Sequence, residues 1–197
     1  FKNSLGKTKD FDELYSYLSS QKFSLFIDTD VLTFDYDKSI TAKNLNEKAL
    51  KILLLTDILD VGGAETHILT LTSGLAALGH SVTVVSSGGR LEKTVRHKKI
   101  KLSRRSLSLI PSFFKLLSFV RREKFDIIHS HARLPSLLGS IVAKILNIPF
   151  VTTVHARFKV SPLRRVFSRW GIRSVAVSED LSLYLTRCYS VPSENIT

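Results

Sequence analysis

The sequence has a single cysteine, Cys188, and no methionine. One cysteine excludes a disulfide framework and fits a reducing compartment, so a cytoplasmic location is expected. Cys188 reads as a packed thiol, since no partner for a nucleophile stands near it in the pattern. The chain opens at Phe1 without a methionine, from which a piece of something longer is expected. Long apolar runs are also missing, and none reaches the roughly 20 residues that a membrane-spanning helix requires. There is no G-x-S-x-G elbow of the serine hydrolases and no Walker A lysine pattern. Acidic residues are the minority: 17 Asp and Glu stand against 29 Lys and Arg, giving a net charge of +12. Such an excess suggests an anionic partner, whether nucleic acid, phosphorylated small molecules or the anionic face of a membrane. What is present is enough for a core: 44% of residues are hydrophobic and 23% charged, which is not the composition of a disordered chain.

The length of 197 residues fits one domain with an appendage. From Lys51 onward two textures alternate. Short apolar, β-branched runs occur at "KILLLTD" (51–57), "SVTVVSS" (81–87), "DIIHSH" (126–131), "PFVTTVH" (149–155) and "RSVAVSE" (173–179). Each is nearly continuous in apolar residues, as expected of strands buried on both faces. Helical spacing lies between them: Ala64, Ile68, Leu71, Leu75 and Leu78, stopped by Gly79; Ile141, Val142 and Ile145 after Pro135, closed by Asn147; and Leu163, Val166, Phe167 and Trp170 after a Ser161-Pro162 start. Strict alternation predicts an α/β fold, a Rossmann-like, doubly wound parallel sheet over residues 49–197. Residues 1–48 form a short N-terminal extension of different texture, with an amphipathic "FDELYSYLSS" and an acidic strand-like "KFSLFIDTDVLTF". Asp28 and Asp30 in that strand stand at the spacing of a D-x-D cation site, but an edge strand or packing arm is the preferred reading for so short a segment.

In an open parallel sheet, ligands bind outside the carboxyl ends of the strands. Those ends carry Asp57, Asp60, Gly62 and Gly63; Ser86 to Gly89; His129 and His131; His155 and Arg157; and Ser178 and Glu179. The two-residue spacing of His129 and His131 points both to the same side of their strand. The Gly62-Gly63 turn is not a dinucleotide fingerprint, because it reads G-G-A-E and the next strand ends "SSGG" without a ribose-binding acid. Two readings stand. The pair is a tight turn without a ligand, or it leaves free helix N-terminal amides open to a phosphate.

The stretches "GGAETHILTLTSGLAALGHSVTVVS", "FDIIHSHARLPSLLGSIVAKILNIPFVTTVH" and "VAVSEDLSLYLTRCYSVPSENIT" resemble, in order and spacing, the N-terminal domain of family 4 glycosyltransferases, which have the GT-B fold. The resemblance runs from near Lys51 to Thr197. It implies a nucleotide-diphosphate sugar as donor, a glycan or lipid-linked acceptor, transfer with retention, no metal cofactor, and a place in cell envelope polysaccharide synthesis. It implies that Gly62 and Gly63 lie against the donor diphosphate and that His155 is catalytic. Asp60, His129, His131, Arg133, Ser178 and Glu179 would line the acceptor side. The donor-binding C-terminal domain of the family, with its paired glutamates, is not in the sequence. The chain is therefore expected to be the acceptor-side half of an enzyme and inactive alone.

Three other readings stay beside this one. His129, His131 and His155 form a possible zinc set, although the sequence fixes no fourth ligand. The basic run "RLEKTVRHKKIKLSRRS" (90–106) has no interleaved aromatics, so nucleic acid is not the expected partner. "PSFFKLLSFVRREKF" and the 161–170 helix are amphipathic with cationic faces, which suits either packing on the sheet or peripheral attachment to the inner face of an anionic membrane. A non-catalytic Rossmann-like binding module with a basic surface is the alternative to an enzyme.

Overall fold

The computed structural model describes residues 49–102, 109–160, 168 and 170–197. The expected helix and strand of the 1–48 extension, with Asp28 and Asp30, lie outside these residues, as does most of the expected 161–170 helix. Among the described residues, six strands form one sheet: β1 (Lys51–Leu55), β2 (Ser81–Ser86), β3 (His97–Lys99), β4 (Ile127–Ser130), β5 (Phe150–Val154) and β6 (Arg173–Ala176). All pairings are parallel and the order is β3-β2-β1-β4-β5-β6. The sheet thus grows outward from β1 to β3, then returns and grows the other way from β4. The reversal lies between β1 and β4, where Leu55 stands beside Ser130.

Four of the five sequence-read strands carry an almost unbroken buried run, and β1 shows why: Leu53, Leu54 and Leu55 are all fully enclosed. Successive side chains point to opposite faces, so both faces must be covered. Helix α1 (Gly63–Ala77) joins β1 to β2, and α3 (Arg133–Leu146) joins β4 to β5 in the opposite direction. Right-handed crossovers then place α1 and α3 on opposite faces. Helix α2 (Leu109–Glu123) packs beside α3. Leu116, Phe119 and Val120 of α2 and Leu138, Val142 and Ala143 of α3 share one core with Leu53, Leu55, Val85 and Ile128. A Cβ on Gly139 would lie 2.6 Å from Leu55 Cδ1, so this glycine sets how closely α3 approaches the sheet.

The helix ends follow their residues. Gly79 adopts φ 86°, its N–H donates to Ala76 O at 3.0 Å, and the His80 N–H donates to Leu75 O at 3.0 Å, which closes α1 with paired carbonyls. Asn147 ends α3 in the left-handed conformation. Ser178 caps α4 (Glu179–Tyr189), its Oγ accepting from the Leu181 N–H.

Strand β3 departs from the sequence reading. It consists of His97, Lys98 and Lys99, inside the basic run of residues 90–106, where the sequence reading expects no strand. Its side chains are exposed or half-buried, so no apolar pattern announces it. It is held by backbone pairing to β2 and by His97 Nε2 against Ser86 Oγ at 2.8 Å. Lysines on a short edge strand also discourage pairing with another chain. Immediately after it, Ile100 and Leu102 turn inward to the core.

Candidate functional site

The carboxyl ends of β1, β4 and β5 meet at the sheet's reversal. The backbone N–H of His131 donates to Leu55 O at 2.8 Å, which fixes the end of β4 against β1. His129 and His131 project on the same side, as their spacing requires, with ring centroids 4.3 Å apart. His129 Nε2 meets Thr153 Oγ1 of β5 at 2.7 Å. His131 Nδ1 meets Nε2 of His155, just beyond β5, at 3.3 Å.

A fourth ring completes the group. His67 on α1 lies edge-on to His155 with centroids 5.2 Å apart, and 5.6 Å from His131. The sequence reading did not single it out. Its signal is the spacing from Gly63: four residues on, it lies one helical turn along the same face. Through His67 the glycine turn and the strand-end histidines become one site.

Burial makes this a neutral cluster. It lowers the pKa of His129 to about 3, with repulsion from His67 and His155 adding to the effect. It lowers His155 to about 4, again assisted by His67, and holds His131 well below the ordinary histidine range. Burial lowers His67 as well. At neutral pH the cluster therefore offers imidazole donors and acceptors, not cations. Among the described residues no group of three or more His, Cys, Asp or Glu side chains is arranged as metal ligands.

The glycine turn is built differently. Gly62 precedes α1 with an extended backbone, φ −178°, which any residue adopts. A Cβ there would meet only the tip of the Glu65 side chain, and a Cβ on Gly63 would meet nothing within 4 Å. The fold thus does not demand either glycine. Gly89 is the contrast: its φ is 145° and a Cβ would stand 2.1 Å from Leu59 O. No side chain caps α1, and its first-turn amides have no carbonyl one turn back to bond. The result is a helix N-terminus whose amides and dipole suit an anion, with no side chain of its own in the way except Glu65.

The remaining candidates are spread around this centre. Asp60 pairs with Arg90, whose guanidinium holds the carboxyl below its ordinary range. Asp57, at the end of β1, has its carboxyl raised by burial, and its Oδ1 is enclosed without a hydrogen-bond partner. Arg133 opens α3 directly after the His131 segment and lies over the Phe158 ring, 5.9 Å from its centre. Ser178 and Glu179 are exposed at the start of α4, where Ser178 is occupied as a cap. Among the described residues no hydrogen bond or ion pair joins Asp60, Ser178 or Glu179 to the histidines. Arg157 pairs with Asp180 and lies over the Tyr184 ring. Tyr184 also grips the segment after His155: its hydroxyl donates to Phe158 O at 2.5 Å and accepts from the Phe158 N–H at 3.0 Å. Cys188 is half-buried beside this Tyr184 cluster.

Comparison with known proteins bears on the fold and the family. No curated protein matches the chain. Among solved structures, a glycosyltransferase from Rickettsia africae is similar at 21% identity and a TM-score of 0.64, over 77% of this chain and 42% of that one. Anabaena Alr3699/HepE in complex with UDP-glucose is similar at 16% identity and a TM-score of 0.62, over 75% of this chain and 43% of that one. The lipopolysaccharide outer core galactosyltransferase WaaB is similar at 13% identity and a TM-score of 0.58, over 75% and 44%. The chain therefore spans less than half the length of these structures, and the likeness is one of fold, the Rossmann-like N-terminal half of GT-B glycosyltransferases. The sequence pattern of Glycosyltransferase Family 4 matches residues 61–197, well over half of the chain, and the chain belongs to that family.

Proposed function

We propose that this chain is the acceptor-side half of an enzyme that transfers a sugar, with retention and without a metal cofactor, from a nucleotide-diphosphate sugar to a glycan or lipid-linked acceptor. The observation that carries the reading is the juxtaposition of the unrequired Gly62-Gly63 turn with His155 through His67. Amides fixed at the N-terminus of α1 stabilise negative charge as it develops on a departing diphosphate. Two residues without side chains let that diphosphate approach the backbone closely. In this reading His155 reaches a group held over the turn, and Asp60, His129, Arg133, Ser178 and Glu179 meet the acceptor; His131, expected among them, is 5% exposed and stands behind His155 instead. The UDP-glucose bound by Alr3699/HepE supports a nucleotide sugar as donor, and the WaaB likeness supports a cell envelope glycan as acceptor. The nucleotide-binding half of such an enzyme is a second α/β domain, so the isolated chain is expected to be inactive.

We also propose peripheral attachment to an anionic membrane face. No helix among the described residues is long and apolar enough to cross a membrane. The main apolar stripe of α2 is spent on the core, but Ile110 and Phe114 remain 72% and 60% exposed on a helix that also carries Lys115, Arg121 and Arg122. Apolar residues beside cations suit an acidic lipid surface.

Transfer by the full-length protein across a panel of nucleotide sugars, with membrane extract as acceptor, tests the enzyme reading. Turnover that His155→Ala abolishes without loss of folding supports it. A folded, full-length protein that neither turns over nor binds any donor would instead favour a binding module.

A further inference from the structure

The role given to His155 depends on which ring nitrogen faces the ligand and whether it carries a proton. The hydrogen bonds behind the ring decide both. His155 Nε2 is taken by His131 Nδ1 at 3.3 Å, which leaves Nδ1 for a ligand. His131 is enclosed, 5% exposed, and its Nε2 is buried without a hydrogen-bond partner. A neutral imidazole has one N–H and one bare nitrogen, so two assignments exist. In the first, His155 donates from Nε2. His131 Nδ1 must then accept, and its proton sits on Nε2 as a buried N–H with nothing to receive it. In the second, His131 donates from Nδ1. Its Nε2 is then bare, and His155 carries its own proton on Nδ1. Buried N–H groups without acceptors are rarer than under-used acceptors, which favours the second.

We propose that His131 is a positioning residue that locks His155 as the Nδ1–H tautomer, so that His155 meets its ligand as a hydrogen-bond donor and not as a base. The functional consequence rests on the reading of His155 as the ligand-facing residue; the tautomer does not. The neighbours keep the pair in place. His129 stacks on His131 and is itself tied to Thr153, and the His67 ring stands edge-on to His155. The low pKa values of His131 and His155 agree, since both rings are then neutral at pH 7. Histidine side chains free in solution prefer the Nε2–H form, so the lock works against an intrinsic preference and is detectable.

The test is a two-bond proton–nitrogen correlation spectrum of the full chain with 15N-labelled histidine at pH 7.5. The His155 signals are those lost in His155→Gln. The expected spectrum shows His155 and His131 each protonated on Nδ1 with a bare Nε2. His155 protonated on Nε2 overturns the proposal, and this outcome is read from the unsubstituted protein without any activity. His131→Asn keeps an amide N–H near the place of Nδ1 and is expected to preserve the His155 tautomer. His131→Leu removes the donor and is expected to return His155 to the Nε2–H form; an unchanged tautomer there contradicts the lock. In the full-length enzyme, kcat is expected to fall about tenfold or more in His131→Leu and to recover in His131→Asn, as for loss of a correctly oriented group. Absence of turnover in every variant, with the expected spectrum, would fault the transfer reading and leave the tautomer standing.

Discussion

At the scale of single residues, the histidine cluster links the site to stability. In the unfolded chain these imidazoles bind protons as the pH drops through about 6.5. Folded, His155 resists until about 4 and His129 until about 3. The unfolded state thus holds more protons between about 6.5 and 4, and stability falls as the pH is lowered through that window. Urea midpoints measured from pH 7 to pH 4 should show this fall. His129→Gln, which keeps a polar group toward Thr153 and does not titrate, should show a shallower one; equal slopes would mean that burial of His129 has no such effect. Part of this cluster is legible in the sequence. The H-x-H spacing puts His129 and His131 on one side, as the structure finds. That His131 is enclosed and His129 only half so is not legible, because it depends on the backbone of β1 and on what packs over the strand end. His67 escapes for the same reason: on α1 it is one polar residue in a helix, and only the crossover brings it to His155.

At the scale of elements, the strands divide by what announces them. β1, β2, β4 and β5 are largely buried on both faces and lie in nearly continuous apolar runs. β3 has no such face and is held by backbone pairing and the single His97–Ser86 side-chain bond, so no periodicity reveals it. The helix stops at Gly79 and Asn147 are legible because left-handed residues have strong chemical preferences. Two predictions belong here. Gly139→Ala pushes a methyl into Leu55 and Phe150 and should cost about 1–3 kcal/mol, as overpacking does. An unchanged urea midpoint would mean that α3 shifts freely off the sheet. Tyr184→Phe removes the hydroxyl that grips both polar groups of Phe158 and should cost about 1–3 kcal/mol. Because the gripped segment follows His155, the same variant should also raise proteolytic nicking near Phe158. Nicking at the unsubstituted rate would show that other contacts hold the segment.

At the scale of the whole molecule, the proposed membrane attachment rests on the charge of +12 and the apolar residues left on α2. Binding to vesicles rich in anionic lipid should exceed binding to neutral vesicles and weaken as salt is raised from 50 to about 500 mM, since surface attraction is screened within a Debye length. Ile110→Ser with Phe114→Ser should reduce it without moving the urea midpoint, because both side chains are exposed. Equal binding to neutral and anionic vesicles at low salt would remove the membrane from the account.

The central claim is that Gly62 and Gly63 are kept for a ligand and not for the fold, and Gly63→Ala tests it most directly. Nothing lies within 4 Å of a Cβ at that position, so thermal stability should equal or slightly exceed that of the unsubstituted protein. In the full-length enzyme the account predicts that this stable variant loses about tenfold or more in donor kcat/KM, about 1.4 kcal/mol or more of transition-state stabilisation. A Gly63→Ala enzyme with unchanged stability and unchanged kcat/KM would show that the turn carries no diphosphate.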